Sequence, residues 1–85
     1  MSMKPIQSLM KYSNQSIMVT FTDGRYEVYR IKYILEEVLL HLPEDDPNFI
    51  KIRDFFEKSH LDNQISKRLY ERYNLVMTAK SMNKQ

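Results

Sequence analysis

The chain has 85 residues, no cysteine, one glycine, a 42% hydrophobic fraction and a formal net charge of +2. That length supports one domain, and the lack of cysteine excludes disulfides, thiolate metal sites and thiol nucleophiles while fitting a reducing compartment. No apolar run approaches the ~18–20 residues that span a bilayer, and the first residues lack a signal peptide's apolar segment and small-residue cleavage site, so a cytoplasmic protein is expected.

Residues 1–14 read as a lead-in and a short helix. Ile6, Leu9, Met10 and Ser13 fall on one helical face, and Pro5 suits a first-turn position. Asn14-Gln15-Ser16 breaks that period. Residues 16–31 read as a β-hairpin about Asp23-Gly24, the dipeptide favoured in a two-residue type I′ turn, where both central residues need positive φ. Such a turn opposes Phe21 to Tyr26, Val19 to Val28 and Ile17 to Arg30. Side chains alternate with period two, so Ile17, Val19, Phe21, Tyr26 and Val28 would share an apolar face. Met18, Thr20, Glu27 and Tyr29 would fall on the other.

Residues 31–42, IKYILEEVLLHL, carry Ile31, Ile34, Leu35, Val38, Leu39 and Leu42 at helical spacing and read as the central helix. Pro43-Glu44-Asp45-Asp46 ends it. Asp46-Pro47 then supplies an N-cap and a first helical residue for a third helix over 47–58, with Phe49, Ile52, Phe55 and Phe56 inward. Asp62 is placed to cap a fourth helix over 62–79, with Ile65, Leu69, Tyr73, Val76 and Met77 on its apolar stripe, followed by a frayed tail over 80–85. The fold class expected is a small single α+β domain, one β-hairpin packed on three to four amphipathic helices. Its core would hold Ile17, Val19, Phe21, Val28, Ile34, Leu35, Val38, Leu39, Leu42, Phe49, Ile52, Phe55, Leu69 and Val76.

Motifs for chemistry are scarce. The single glycine belongs to the hairpin, so there is no glycine-rich phosphate loop. Glu37 and His41 stand four apart on one helical face, but no second His–carboxylate pair completes a metal or acid–base site, and a surface ion pair accounts for them. Glu44-Asp45-Asp46 lacks the alternating oxygen ligands and glycine of a calcium loop. No catalytic residue, cofactor or metal is expected, and the chain reads as a non-enzyme.

Two kinds of partner remain. Residues 32–57 hold seven acids against three bases, whereas 58–85 hold six bases against two acids. The third and fourth helices have helix-turn-helix proportions, and Gln64, Lys67, Arg68 and Arg72 would offer a basic face to nucleic acid. The acidic third helix, the lack of a glycine in the connection and the modest net charge weigh against that alternative. Tyr12, Tyr29, Tyr33 and Tyr70, together with Leu40, exceed what the expected core can take. Tyr29, Tyr33, Leu40 and Tyr70 are the expected partner contacts, since aromatic residues are enriched at protein interfaces. The six methionines add adaptable apolar surface, some of which suits self-association as a homodimer.

In size, absence of cysteine and composition the chain resembles the small accessory proteins of T-even-type phages, which include anti-sigma factors and antiholins that act by binding one target. The resemblance implies a small regulator or inhibitor and transfers no residue role. The function expected is therefore a protein–protein interaction module, with nucleic-acid binding as the alternative.

Overall fold

The computed structural model describes residues 3–82. Three antiparallel strands, β1 (Ile6–Ser13), β2 (Ser16–Phe21) and β3 (Tyr26–Arg30), lie in the order β1-β2-β3. Three helical segments follow: α1 over 31–41, α2 (Pro47–Leu61) and α3 (Lys67–Met82). The class is α+β, with three helices rather than four.

The helix expected in residues 1–14 is instead the strand β1. Ile6 pairs with Phe21 and Leu9 with Val19, so three steps along β1 match two along β2. The extra residue is a β-bulge between Ile6 and Ser8, and it returns Ile6 and Leu9 to one face at a spacing that imitates a helix. Lys51 Nζ donates to the Gln7 carbonyl at 3.1 Å, within the bulge. Buried Asn48 in α2 holds the start of the strand. Its Oδ1 accepts the Ile6 amide at 2.8 Å, and its Nδ2 donates to the carbonyls of Lys4 at 2.9 Å and Met3 at 3.3 Å.

The β2–β3 hairpin is present, but its register differs by one residue from that of a two-residue turn. Val19 pairs with Glu27, Met18 with Val28 and Ile17 with Tyr29. Among the described residues only Gly24 and Asn63 have positive φ, so Asp23 cannot join Gly24 in a type I′ turn. Thr22-Asp23-Gly24 forms a three-residue loop instead, closed by Gly24 N–H to the Phe21 carbonyl at 2.9 Å and Phe21 N–H to the Arg25 carbonyl at 2.8 Å. The Asp23 carboxylate accepts the Arg25 amide at 3.0 Å, and this bond is the main reason its pKa is lowered. A one-residue slip turns every side chain of β3 over. Val28, expected in the core, is 43% exposed, and Tyr26 is 65% exposed.

α1 begins directly after β3 and changes winding along its length, from α over Ile31–Tyr33 to π over Ile34–Val38 and 3-10 over Leu39–His41. The Leu39 amide is shared between the Ile34 and Leu35 carbonyls. The widened turn keeps Ile34, Leu35, Val38 and Leu39 all buried while Glu36 and Glu37 face outward. Pro43 then holds Leu42 in extended backbone and stops the helix.

The Asp46 side chain accepts the Asn48 amide at 2.8 Å and Pro47 opens α2, as the sequence predicts. Asp62 does not cap the last helix. It closes α2, and Asn63 takes the left-handed conformation at φ 56° that a glycine usually fills. Gln64 N–H to the Ser59 carbonyl at 2.7 Å and Asn63 N–H to the His60 carbonyl at 3.1 Å complete a Schellman closure. Five residues later than expected, α3 starts at Lys67. Ser66 supplies its cap, Oγ accepting the Leu69 amide at 3.2 Å. The tail expected over 80–85 is helical as far as Met82, and residues 83–85 lie outside the described residues, as does the start of the 1–14 lead-in at Met1 and Ser2.

The core lies between one face of the sheet and the three helices. Ile6, Ile17, Val19 and Phe21 meet Ile31, Ile34, Leu35, Leu39, Phe49, Ile52, Phe56, Tyr73 and Val76 in one buried cluster. Phe56 and Tyr73 stack with centroids 5.2 Å apart. Leu42, Phe55 and Leu69, expected inside, are only partly buried against it.

Candidate binding surfaces

Among the described residues no helix covers the second face of the sheet. Register places Ser8, Thr20 and Tyr26 in one row across the three strands and Met10, Met18 and Val28 in the next. Met10 and Tyr26 are more than half exposed, and Met18 and Thr20 are partly so. Tyr12, 64% exposed, sits in a second bulge between Lys11 and Ser13. The paired positions on this face are uncharged up to Arg30 at the far end, opposite Ser16. Its composition of Met, Val and Tyr is that of an interface centre, where charged residues are depleted. The expected two-residue turn hid this surface by sending Tyr26 and Val28 inward. The alternation within β2 alone, Met18 and Thr20 outward between Ile17, Val19 and Phe21, was the available signal.

Of the residues singled out for a protein partner, Tyr29 and Tyr33 do come together. Their rings stack 5.5 Å apart and 9° from parallel. They line a groove of about 650 Å³ between the hairpin and α1, whose walls also carry Arg25, Glu27, Glu37 and His41. Tyr29 Oη donates to Glu27 Oε2 at 2.6 Å. Burial, then this hydrogen bond and the carboxylate's charge, push the Tyr29 phenol up to about 12, so at neutral pH it is a hydrogen-bond donor and not a base. Glu37 and His41 share the groove wall without a hydrogen bond between them.

Neither Leu40 nor Tyr70 lines that groove. Leu40 packs partly against the core, and its carbonyl accepts Lys80 Nζ at 3.3 Å. Tyr70 stacks on His60 with ring centroids 3.6 Å apart. The Tyr70 and Tyr73 hydroxyls donate to the two oxygens of Glu57, at 2.9 and 2.7 Å. That carboxylate raises the Tyr70 pKa; for Tyr73 burial is the larger cause and Glu57 the second. Glu57 is thus a clamp between α2 and α3.

Of the basic set, Gln64, Arg68 and Arg72 line a second cleft of about 630 Å³ together with Lys11, Arg30 and Lys32. Asn14 and Gln15 of the β1–β2 turn form the opposite wall. Lys67, also assigned to the basic face, lies outside this lining. No carboxylate lines the cleft, although the chain carries eleven. Arg72 Nη1 pairs with Glu36 Oε2 at 2.6 Å beyond its edge, and Arg30 donates to the Gln15 amide oxygen at 3.4 Å. The basic side of α3 was legible from its charges. Lys11, Arg30 and Lys32 were not, because only the strand form of β1 and the Gln15 turn bring them to it.

Among the described residues no three His, Asp or Glu side chains gather as a metal centre, and no helix is long and apolar enough to cross a membrane. No protein-family model, curated protein or solved structure matches the chain.

Proposed function

We propose that the chain is a non-enzymatic binding module, a small cytoplasmic regulator or inhibitor that engages one protein target. The observation that carries this reading is the uncovered sheet face, on which Met10, Met18 and Val28 form an apolar row across all three strands beside Tyr26. Methionine adapts its shape to a partner, and tyrosine adds rigid contact area with a polar tip. Tyr33, 44% exposed, adds a separate aromatic contact at the groove. A second copy of the chain is one target that such a face would suit, giving a homodimer.

The test is a pull-down from the native cytoplasm, run with and without nuclease, comparing the wild type with Met18→Lys/Val28→Lys. The expected result is one protein that the wild type still recovers after nuclease treatment and that is lost with the double variant, which still folds. Sedimentation of the isolated protein separates self-association from capture of another chain. Recovery that is indifferent to the double variant would refute the reading.

A further inference from the structure

We infer that the cleft between α3 and the β1–β2 turn binds the phosphodiester backbone of a single-stranded nucleic acid, a role separate from that of the sheet face. Five cations line it, contributed by β1, the end of β3, the start of α1 and the first two turns of α3, and no acid does. Among the described residues Lys11, Lys32 and Arg68 have no carboxylate partner, so their charge is open to a ligand. Three neutral amides, Asn14, Gln15 and Gln64, stand among them as donors and acceptors for sugar or base edges.

The shape decides which nucleic acid. In a helix-turn-helix the reading helix projects from the protein into a major groove. Here Arg68 and Arg72 share their cleft with Gln15 and Arg30, so the basic side of the helix is walled by the hairpin and cannot enter a duplex groove. A concave site with cations on several sides suits a flexible strand that can thread between them. Spread over four segments, the charges also suit successive phosphates better than one isolated anion, which calls for donors converging on a point. Beyond Arg30 and Lys32 the surface continues to Tyr33, but Glu36 and Glu37 line that stretch as well, so the basic path ends at Lys32.

The experiment is fluorescence anisotropy with labelled oligo(dT) and oligo(rU) of about 12 nucleotides, set against a duplex of equal length and against poly-glutamate. Single strands are expected to bind with a log–log salt slope near −2, roughly 0.7 for each of about three phosphates. Lys32→Gln/Arg68→Gln should bind at least about tenfold more weakly, with a slope shallower by roughly 1.4. Lys58→Gln/Lys67→Gln removes the same charge outside the cleft and should leave affinity and slope unchanged. All four side chains are exposed, and unchanged thermal melting of both variants verifies their folding. Equal losses in the two variants would reduce the effect to net charge. Tighter binding of the duplex would restore the projecting-helix arrangement, and equal binding of poly-glutamate would point to an acidic protein. Any of these, or no binding, overturns the inference.

Discussion

Asn48→Ala is the substitution that most directly tests how the sheet is attached to the helices. Asn48 is 6% exposed, and its side chain meets three backbone groups of the chain leading into β1. Truncation orphans the Ile6 amide beside a fully packed core, at a cost of about 1–3 kcal/mol for an unsatisfied buried donor. The Met3 and Lys4 carbonyls lie nearer the surface and can turn to water, so their loss adds about 1 kcal/mol at most. Alanine's better helix propensity gives back about 0.5 kcal/mol. The net expectation is about 0.5–3.5 kcal/mol, at its upper end a large part of the stability of a domain this size. Urea unfolding followed by circular dichroism measures it, and hydrogen exchange at the Ile6 amide locates it. Loss of less than about 0.5 kcal/mol, or an Ile6 amide that stays protected in the variant, would show that the strand does not depend on this anchor.

The hairpin register separates two valines: Val19→Ala should cost about 1.5–3 kcal/mol and Val28→Thr less than about 0.5 kcal/mol, and equal losses in urea midpoints would favour the two-residue turn. Gly24→Ala should cost about 1–2 kcal/mol although no atom lies within 4 Å of the added carbon, because its φ of +89° alone is strained; unchanged stability would contradict the loop geometry. Ser66→Ala should remove the cap of α3 at about 1 kcal/mol, with Asp62→Ala costing clearly less, and the reverse order would move the helix start back to residue 62. Tyr29 has a folded-state pKa of about 12 against the ordinary 10.0, so its neutral form stabilises the fold fully below pH 10, and that contribution is lost as pH rises toward 12. Ultraviolet titration of the phenols should therefore lose a late component in Tyr29→Phe, and an unaltered curve would refute it.

The parts of the fold that were legible from sequence are those whose signals are local. Asp46-Pro47 caps a helix through atoms two residues away, and Ile34, Leu35, Val38 and Leu39 tolerate a change of winding because all four still face inward. The errors come where one pattern serves two structures. Ile6 and Leu9 have helix spacing only because a bulge adds a residue between them, and that bulge depends on β2, which the local pattern of β1 does not contain. Asp23-Gly24 is compatible with two loop lengths, and the choice between them turned Tyr26 and Val28 outward. The candidate surfaces inherit these errors. Arg68 and Arg72 were visible as a charged helix face, but the wall opposite them is the β1–β2 turn, which exists only because the segment before it, read as a helix, is a strand.

The bulges have a consequence for growth of the sheet. β1 is an edge strand, and an unpaired strand edge is a template on which further chains can add and aggregate. Only Ser8, Leu9, Met10 and Lys11 keep an unbroken register between its two irregularities. Lys51, reaching from α2 to the Gln7 carbonyl, occupies an acceptor at the start of that run. A four-residue stretch with a lysine at its end is a poor seed for cross-strand addition, so the sheet is blunted along β1, one of its two edges. Along β1, contact with another chain then falls to side chains such as Met10 and Tyr12 more than to the backbone.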